Sequence, residues 1–312
     1  MSGTINPWLN KAFIGHKEII RQLNQLKNSK SINNTLIFNG PIGVGKCTLA
    51  FRYCNYIFAN TDIAFIDYEQ KNDNIFSQVS NHSFPNLYYI SKNDEYGNSR
   101  EIKIEDIRNL KKKILQSIIS KRDRFIIFDD IELFNQNSLN ALLKLIEEPS
   151  QKNYFFLINN KSKPLIETVK SRALEIKIIL EEEQRLEIIE KLVNVYKLDL
   201  ILDPETSQLS PGNFIKFNFI CKEHDIYPTN DFVKNLSLLL NIYKKEKNIL
   251  FINLIFYLAD QYFRHIKDKD LLKSDQIFEI KDYIMSNLNS FMLYNINQNS
   301  LINAVNEKLN HE

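Results

Sequence analysis

The sequence predicts an α/β protein: a parallel sheet covered by helices, followed by a small helical lid and an all-helical end. Short apolar runs alternate with helical periodicity through the first 180 residues, as expected for a parallel sheet with helices on both faces. The strand pattern then disappears, and long amphipathic patterns continue to the end of the chain. Three of only seven glycines fall within six residues, between a predicted strand and a predicted helix. These observations divide the 312 residues into three predicted units, at 1–180, 181–225 and 226–312.

The sheet is predicted from five short apolar runs that are rich in Phe, Ile, Leu and Tyr. Strands that are buried on both faces form continuous hydrophobic runs, whereas half-buried strands alternate with polar residues. We expect strands at 35–39, 86–90, 125–128, 154–158 and 174–178.

Helical periodicity accounts for the segments between and after these strands. Before the first strand, apolar residues recur on one helix face, at Ile19, Ile20, Leu23 and Leu26. Acidic residues favour the first turn of a helix, and two of them open the segment that starts at residue 104. We expect helices at 16–27, 46–58, 104–119, 138–148 and 181–196, one opened by Ser210-Pro211-Gly212, and three or four after Phe232.

Bulk composition places the chain among ordinary globular proteins. It is 44% hydrophobic and 25% charged, which excludes collagenous and largely disordered classes. Three cysteines without a C-x-x-C pair exclude a disulfide framework and a four-cysteine zinc site. No stretch reaches about 18 uninterrupted apolar residues, and no secretory signal pattern is present. We therefore expect a cytoplasmic protein that spans no membrane and binds no zinc.

The glycine cluster is the first motif that carries chemistry. The segment Gly40-Pro-Ile-Gly-Val-Gly-Lys-Cys47 has the G-x-x-x-x-G-K spacing of a P-loop, and it lies between a predicted strand and a predicted helix, as that motif requires. Gly40, Gly43 and Gly45 allow backbone amides to converge on phosphate, and Lys46 adds positive charge. The sequence therefore predicts a nucleotide site.

Two features of this site differ from a working ATPase. A P-loop continues with Ser or Thr, whose hydroxyl ligates magnesium, but Cys47 is a soft ligand for a metal that requires hard oxygen donors. Thr48 is a poor replacement, because one helical step rotates a side chain by about 100°. The strand at 125–128 ends in two carboxylates, the Walker B pattern, in which Asp129 would hold the magnesium hydration shell. Asp130 stands where an ATPase presents a longer Glu; a capping pair at a strand-to-loop turn is the alternative.

Arginine is scarce, with nine arginines against thirty-one lysines, so Ser171-Arg172 stands out. A planar guanidinium suits a γ-phosphate clamp, and lysine does not reproduce its fork. A surface arginine in a helix-to-strand turn is the alternative.

The basic excess lies in the first 180 residues, which carry 25 Lys and Arg against 18 Asp and Glu. The densest segment is 103–124. Within it, Lys111, Lys112 and Lys113 are candidates for contact with a DNA backbone. A solvated helix face is the alternative interpretation.

With these residues collected, the chain resembles the delta-prime subunits of the bacterial DNA polymerase III clamp loader, an AAA+ family. The most specific segments are GPIGVGKCTLAFR at 40–52, IEDIRNL at 104–110, NSLNALLKLIEEP at 137–149 and TVKSR at 168–172. The resemblance implies a P-loop AAA+ domain, a helical lid and a collar domain that mediates oligomerisation. It also implies a circular pentamer with delta and three gamma or tau subunits, which opens the sliding clamp and places it on primed DNA. Arg172 would then act in trans, as an arginine finger at the ATP and magnesium of a neighbouring subunit.

The chain also departs from this family pattern. Asn213 follows Ser210-Pro211-Gly212, where the sensor 2 motif has an arginine, and Ala173 follows Arg172, where the family has a cysteine. Asn159, at a strand end, occupies the sensor 1 position. The resemblance implies a subunit of a DNA-directed DNA polymerase holoenzyme. The losses at Cys47, Asp130 and Asn213 together predict that this subunit has no ATPase activity of its own.

Three other readings remain open. An autonomous AAA+ ATPase of gamma/tau or replication factor C type would carry Ser or Thr at residue 47 and Glu at residue 130. A small-molecule P-loop kinase would not account for TVKSR or for the all-helical end. A DNA-binding module would need a stronger basic face than a net charge of +7 over 180 residues.

Overall fold

A five-stranded parallel sheet organises the first half of the part of the chain that the structure describes. The computed structural model describes residues 6–9, 14–28, 34–59, 77–79, 81, 83–91, 101–116, 123–147, 152–228, 231–268, 274–294 and 296–310. The strands are β1 (Thr35–Asn39), β2 (Leu87–Ile90), β3 (Arg124–Phe128), β4 (Asn153–Asn159) and β5 (Leu174–Lys177). Their spatial order is β2-β3-β4-β1-β5, so β1 lies between β4 and β5.

Alternation of side chains along the strands produces two separate cores, one on each face of the sheet. In β3, Phe125 and Ile127 pack with the first pair of helices, whereas Ile126 and Phe128 pack with the second pair. The first pair is α1 (Lys17–Asn28) and α2 (Lys46–Ala59), and the second pair is α3 (Ile104–Gln116) and α4 (Gln136–Glu147). Because both faces are covered, β1, β3 and β4 need no polar side, which is why their sequences are continuous apolar runs. The edge strand β5 is more exposed and carries Glu175 and Lys177.

The remaining helices follow in chain order. They are α5 (Glu167–Lys170), α6 (Glu182–Tyr196), α7 (Pro204–Ser207), α8 (Pro211–Glu223), α9 (Phe232–Glu246), α10 (Ile249–Asp268), α11 (Ser274–Tyr294) and α12 (Gln298–Asn310). Asp203 and Asp231 cap α7 and α9 by accepting hydrogen bonds from backbone N–H groups of the first turn. Among the described residues, no helix combines the length and apolar character that a membrane crossing needs.

One hydrophobic core connects the lid helices α6 and α8 with the last four helices. Fully buried members of this core come from both regions, and they include Ile189, Phe214, Leu239, Ile284 and Val305. The predicted boundary near residue 225 therefore lies within a continuous core, and the division into three units stays a prediction.

The predicted strands are all present within two residues of their expected ends, and the long helices lie where periodicity places them. The predicted helical residues 117–119 and 148 lie outside the described residues. The sequence pattern misses the two four-residue helices, α5 and α7, because a single turn is too short to show a period of 3.6 residues.

Candidate nucleotide site

The P-loop connects β1 with α2 and is held by close backbone packing. Gly43 and Gly45 have φ angles of +83° and +95°, in the left-handed region that favours glycine. A Cβ atom on Gly40 would lie 2.1 Å from the carbonyl oxygen of Ile178, just after β5. Gly40 is therefore needed where the loop leaves the sheet, whether or not a phosphate is bound.

The carboxyl ends of β3 and β4 place polar side chains beside this loop, as expected for the ligand-binding edge of an α/β sheet. Asn160 donates from Nδ2 to Oδ1 of Asp130 at 2.6 Å and to Oδ1 of Asp129 at 3.5 Å. Asn159, the predicted sensor 1 residue, instead donates to Oδ1 of Asn39 at 3.0 Å and is not among the described residues that line the site cavity. Of these two amides, Asn160 is the one that faces the Walker B carboxylates, and the sensor 1 role of Asn159 stays a prediction.

Lys46 is turned back onto its own loop. Its ammonium donates to the carbonyl oxygen of Gly40 at 2.9 Å and to that of Pro41. Burial lowers the pKa of Lys46 to about 8, although the nearby charges of Asp129, Glu132 and Asp130 act in the opposite direction. The ammonium group that would bind a phosphate is therefore hydrogen-bonded to backbone carbonyl oxygens.

The start of α8 rests directly on the tip of the P-loop. The backbone N–H of Gly212 donates to the carbonyl oxygen of Gly43 at 2.8 Å. A Cβ atom on Gly43 would lie 2.2 Å from Oγ of Ser210 and 3.0 Å from the backbone nitrogen of Asn213. Oδ1 of Asn213 would lie 3.1 Å from the same Cβ atom, so Asn213, which stands in place of the sensor 2 arginine, lies beside the P-loop with both its backbone and its side chain.

A cavity of about 230 Å³ remains between the P-loop and the lid helices α6 and α8. Its lining includes P-loop residues 42–48, both Walker B carboxylates, Asn160, and apolar side chains of α6. Small-molecule pockets usually measure roughly 300–1,000 Å³, so the cavity is small for a nucleotide in this arrangement.

The donor set at the expected magnesium position does not fit that metal. The thiol of Cys47 lies 3.9 Å from the hydroxyl of Tyr89, and this hydroxyl donates to Oδ2 of Asp129 at 3.1 Å. Burial raises the pKa of the Cys47 thiol well above its ordinary value, so the soft donor is also kept protonated. The rings of Trp8 and Phe51 lie 5.4 and 5.2 Å from the Tyr89 ring and hold it in place. A tyrosine hydroxyl thus bridges the two residues that would share the metal.

Of the two Walker B carboxylates, Asp130 is buried and Asp129 is half-buried, and their charges are compensated only in part. Burial raises the pKa of Asp129, against hydrogen bonds from Tyr89, the backbone of Asp130 and Cys47. Burial and the neighbouring Asp129 charge raise the pKa of Asp130 to about 7. In the described part of the chain, no three His, Cys, Asp or Glu side chains are grouped so that they could hold a metal ion.

The structure adds one cation that sequence reasoning misses. Lys216 lines the cavity from α8, one turn after Asn213. Burial lowers the pKa of Lys216, whereas the charges of Asp129 and Asp130 raise it. Helical spacing is the signal that could have found it, because residues i and i+3 share a face.

Arg172 lies at the opposite edge of the sheet from the P-loop. Arg172 lies just before the start of β5, whereas Ile178, which contacts Gly40, directly follows the last residue of the same strand. The four extended residues of β5 rise about 3.3 Å each, so roughly 13 Å of strand lies between the turn that holds Arg172 and the contact with the P-loop. Arg172 is about one third exposed and forms an ion pair with Glu147 at 2.8 Å. It therefore faces outward, away from the nucleotide site of its own chain.

The three predicted DNA-contact lysines differ in their surroundings. Lys111, on α3, lines a groove that also contains Arg108 and, from α4, Lys144. Lys112 and Lys113 are exposed but are not among the described residues that line this groove. The groove gathers three cations from two helices, together with the amides of Asn137 and Asn140.

A protein-family comparison decides the relationship that these sites suggest. The family model described as "DNA polymerase III, delta subunit" matches residues 15–181, more than half of the chain. The chain belongs to the DNA polymerase III delta subunit family. The matched residues include the P-loop, both Walker B carboxylates and Arg172, and they end before the lid residues that contact the P-loop.

Curated relatives agree with this assignment and confirm the resemblance inferred from the sequence. The DNA polymerase III subunit delta' of Buchnera aphidicola subsp. Acyrthosiphon pisum is 25% identical over 283 residues, which cover 87% of this chain and 82% of the relative. The subunit delta' of Buchnera aphidicola subsp. Schizaphis graminum is 26% identical over 311 residues, or 98% and 85% of the two chains. The gamma subunit of the same Schizaphis graminum symbiont is 26% identical over 174 residues, or 55% of this chain and 46% of the relative.

A solved structure supports the fold of this family member. The crystal structure of a DNA polymerase III gamma subunit-related protein from Thermotoga maritima has a TM-score of 0.50 and 16% identity, and the match covers 93% of this chain and 98% of that one. The predicted fold class is therefore confirmed in its architecture: a parallel sheet with a P-loop between β1 and α2, covered by helices and followed by an all-helical part.

Proposed function

We propose that this chain is a delta-prime-like subunit of the DNA polymerase III clamp loader and acts on the ATP site of a neighbouring subunit. The full-length similarity to subunits named delta' supports the role in DNA replication. The partners in this proposal are gamma or tau and delta subunits, the sliding clamp and primed DNA. In this role the chain supplies Arg172 in trans, while its own P-loop turns over no ATP.

The position of Arg172 is the observation that carries the proposal. An exposed arginine at the sheet edge remote from the P-loop cannot reach a phosphate bound to its own chain, but it can reach one held by an adjacent subunit. A guanidinium that stabilises the charge of phosphoryl transfer contributes about 10³-fold or more to turnover. A single surface side chain can therefore control ATP hydrolysis in the adjacent subunit.

The closed state of the chain's own site supports the second half of the proposal. Lys46 is bonded to loop carbonyls, the lid is bonded to Gly43, and the Tyr89 hydroxyl lies between Cys47 and Asp129. These contacts engage the loop lysine, the tip of the loop and Asp129 without a nucleotide, and Cys47 would be a poor magnesium ligand in a bound Mg·ATP.

The trans role is tested with Arg172→Ala in a loader reconstituted with gamma or tau and delta subunits. We expect ATP turnover at the neighbouring subunit's site to fall by about 10³-fold or more, and clamp loading on primed DNA to fall with it. Arg172→Lys keeps the charge without the fork and is expected to recover little. Arg21→Ala is the matched control, because Arg21 is also an exposed arginine paired with a glutamate, Glu18. Unchanged ATPase and loading rates for Arg172→Ala would contradict the proposal.

The inactive site is tested on the isolated subunit by equilibrium binding of a fluorescent ATP analogue, with and without magnesium. We expect no magnesium-dependent binding and no phosphate release. Micromolar binding accompanied by turnover would contradict this half of the proposal and leave the role of Arg172 intact.

Contact with the DNA backbone is a further part of the proposed role, carried by the groove between α3 and α4. Lys111→Glu is expected to weaken DNA binding by the assembled loader. It should also reduce the slope of log K against log salt concentration by about the amount that corresponds to one phosphate contact. Lys113→Glu is the matched control, because Lys113 lies on the same helix outside the groove lining. Equal effects of the two variants would favour a diffuse charge effect over a contact in the groove.

A further inference from the structure

The partner of Arg172 is placed where a carboxylate is unfavourable on its own. Glu147 is the last residue of α4, and the C-terminal end of a helix carries a partial negative charge that repels carboxylates. Nη2 of Arg172 lies 2.8 Å from Oε1 of Glu147 and compensates that repulsion. A residue that is locally unfavourable and paired with a single functional side chain indicates a role through that side chain.

The guanidinium is held from two sides. Its Nη1 atom donates to the carbonyl oxygen of Thr168 at 2.9 Å and to Oγ of Ser171 at 3.2 Å. Glu147 holds the Nη2 atom, so the contacts from α5 and α4 together fix the plane of the group. Among the described residues, these contacts use three of the five N–H groups of the arginine, which leaves two for a phosphate.

Exposure shows why this restraint matters for geometry more than for stability. The side chains of Arg172 and Glu147 are 36% and 43% exposed. Ion pairs of this kind contribute little to folding, so the pair is not needed to hold the domain together. A long side chain at such a position samples many rotamers unless contacts select one, and small displacements of a catalytic group reduce rates strongly.

We propose that Glu147 is the positioning residue that pre-orients Arg172 for the ATP site of the adjacent subunit. This inference rests on the proposed trans role of Arg172 and adds a second residue to it. Glu147 touches no nucleotide itself and acts only through the guanidinium.

The experiment compares Glu147→Ala, Glu147→Gln, Arg172→Ala and the double variant Glu147→Ala/Arg172→Ala in the reconstituted loader. It measures kcat and the half-saturating ATP concentration for DNA-stimulated hydrolysis, with assembly checked by light scattering. We expect Glu147→Ala to lower kcat roughly 3- to 10-fold with the half-saturating concentration unchanged, because a transition-state contact is weakened and substrate binding is not. Glu147→Gln keeps an acceptor oxygen at the same reach and is expected to recover part of the loss. In the Arg172→Ala background the Glu147 change should have no effect.

The matched control is Glu167→Ala. Glu167 also forms an exposed ion pair, at 2.7 Å with Lys170, and it lies on α5 close to Arg172 without bonding to its side chain. We expect this variant to behave like the wild type. The inference is overturned if Glu147→Ala leaves kcat unchanged or raises it while Arg172→Ala lowers it, or if Glu147→Ala still lowers kcat when Arg172 is absent. An Arg172→Ala variant with normal activity would overturn the proposed function and this inference together.

Discussion

Replacing Asp130 by asparagine is expected to stabilise the protein, and more so at alkaline pH than at acidic pH. The Asp130 side chain is 8% exposed, and burial together with the Asp129 charge raises its pKa from 3.8 to about 7. Asparagine has nearly the same shape and removes the charge. It also tolerates the left-handed backbone at this position, where φ is 54°, and its Oδ1 can still accept from Asn160.

The magnitude follows from the difference between the folded and unfolded pKa values. A rise from 3.8 to about 7 corresponds to about 4 kcal/mol of destabilisation when the group is ionised in both states, above about pH 7. As the pH falls below 7, the folded state takes up a proton before the unfolded state does, so stability increases. At about pH 5 the penalty is reduced to roughly 2 kcal/mol. Asp130→Asn should therefore gain about 4 kcal/mol at about pH 8 and about half of that at about pH 5.

Chemical denaturation of the wild type and the variant at both pH values measures these differences. Asp225→Asn is the matched control, because Asp225 is also an aspartate in the left-handed region, with φ of 53°, but is exposed. Replacing this exposed residue removes no buried charge, so we expect no gain in stability for the control. An equal gain for Asp130→Asn at both pH values, or a loss of stability at about pH 8, would refute the reasoning from buried charge.

Three further changes test the packing around the site. Gly43→Ala should destabilise the protein by about 1–3 kcal/mol in thermal melting, because φ is +83° and the new Cβ atom would contact the lid. An unchanged melting temperature would show that the lid can move away from the new methyl group without loss of stability. Gly15→Ala should destabilise the protein, because the new Cβ atom would lie 2.5 Å from Cδ1 of Ile188 at a φ of +87°. Combining it with Ile188→Val should recover only part of the lost free energy of unfolding. Strictly additive free energies in a double-mutant cycle would contradict that contact. Asn218 is fully buried, and Asn218→Ala removes its three hydrogen bonds to the backbone of residues 199, 201 and 202. Chemical denaturation should show a loss of about 2–4 kcal/mol in the free energy of unfolding. A loss near zero would show that those backbone groups find other partners.

The features that the sequence predicts are local ones. The P-loop is recognisable because its glycine spacing and its strand-to-helix context lie within about 25 consecutive residues, and β3 is recognisable because both of its faces are buried. Adjacent carboxylates at the end of β3 follow from the same run. For these elements, local chemistry and tertiary structure require the same residues.

The features that the sequence does not predict depend on side-chain direction or on contacts between distant segments. Asn159 and Asn160 are equally polar, but consecutive residues at a strand end point in different directions, and only Asn160 faces Asp130. Lys216 becomes a site residue only once α8 is packed over the P-loop. The bond between Gly212 and Gly43 joins residues that are 169 positions apart and has no local signature.

The contacts of Gly40 and Gly43 have a consequence for how such loops are recognised. Gly40 gives room to the end of β5, and Gly43 gives room to the lid, so each glycine has a packing role that does not involve phosphate. Substitution at either position would disturb the domain even in a protein that never meets a nucleotide. A glycine pattern in this loop therefore records how the sheet and the lid fit together, and a search that scores only the pattern cannot distinguish a hydrolase from a scaffold of the same shape.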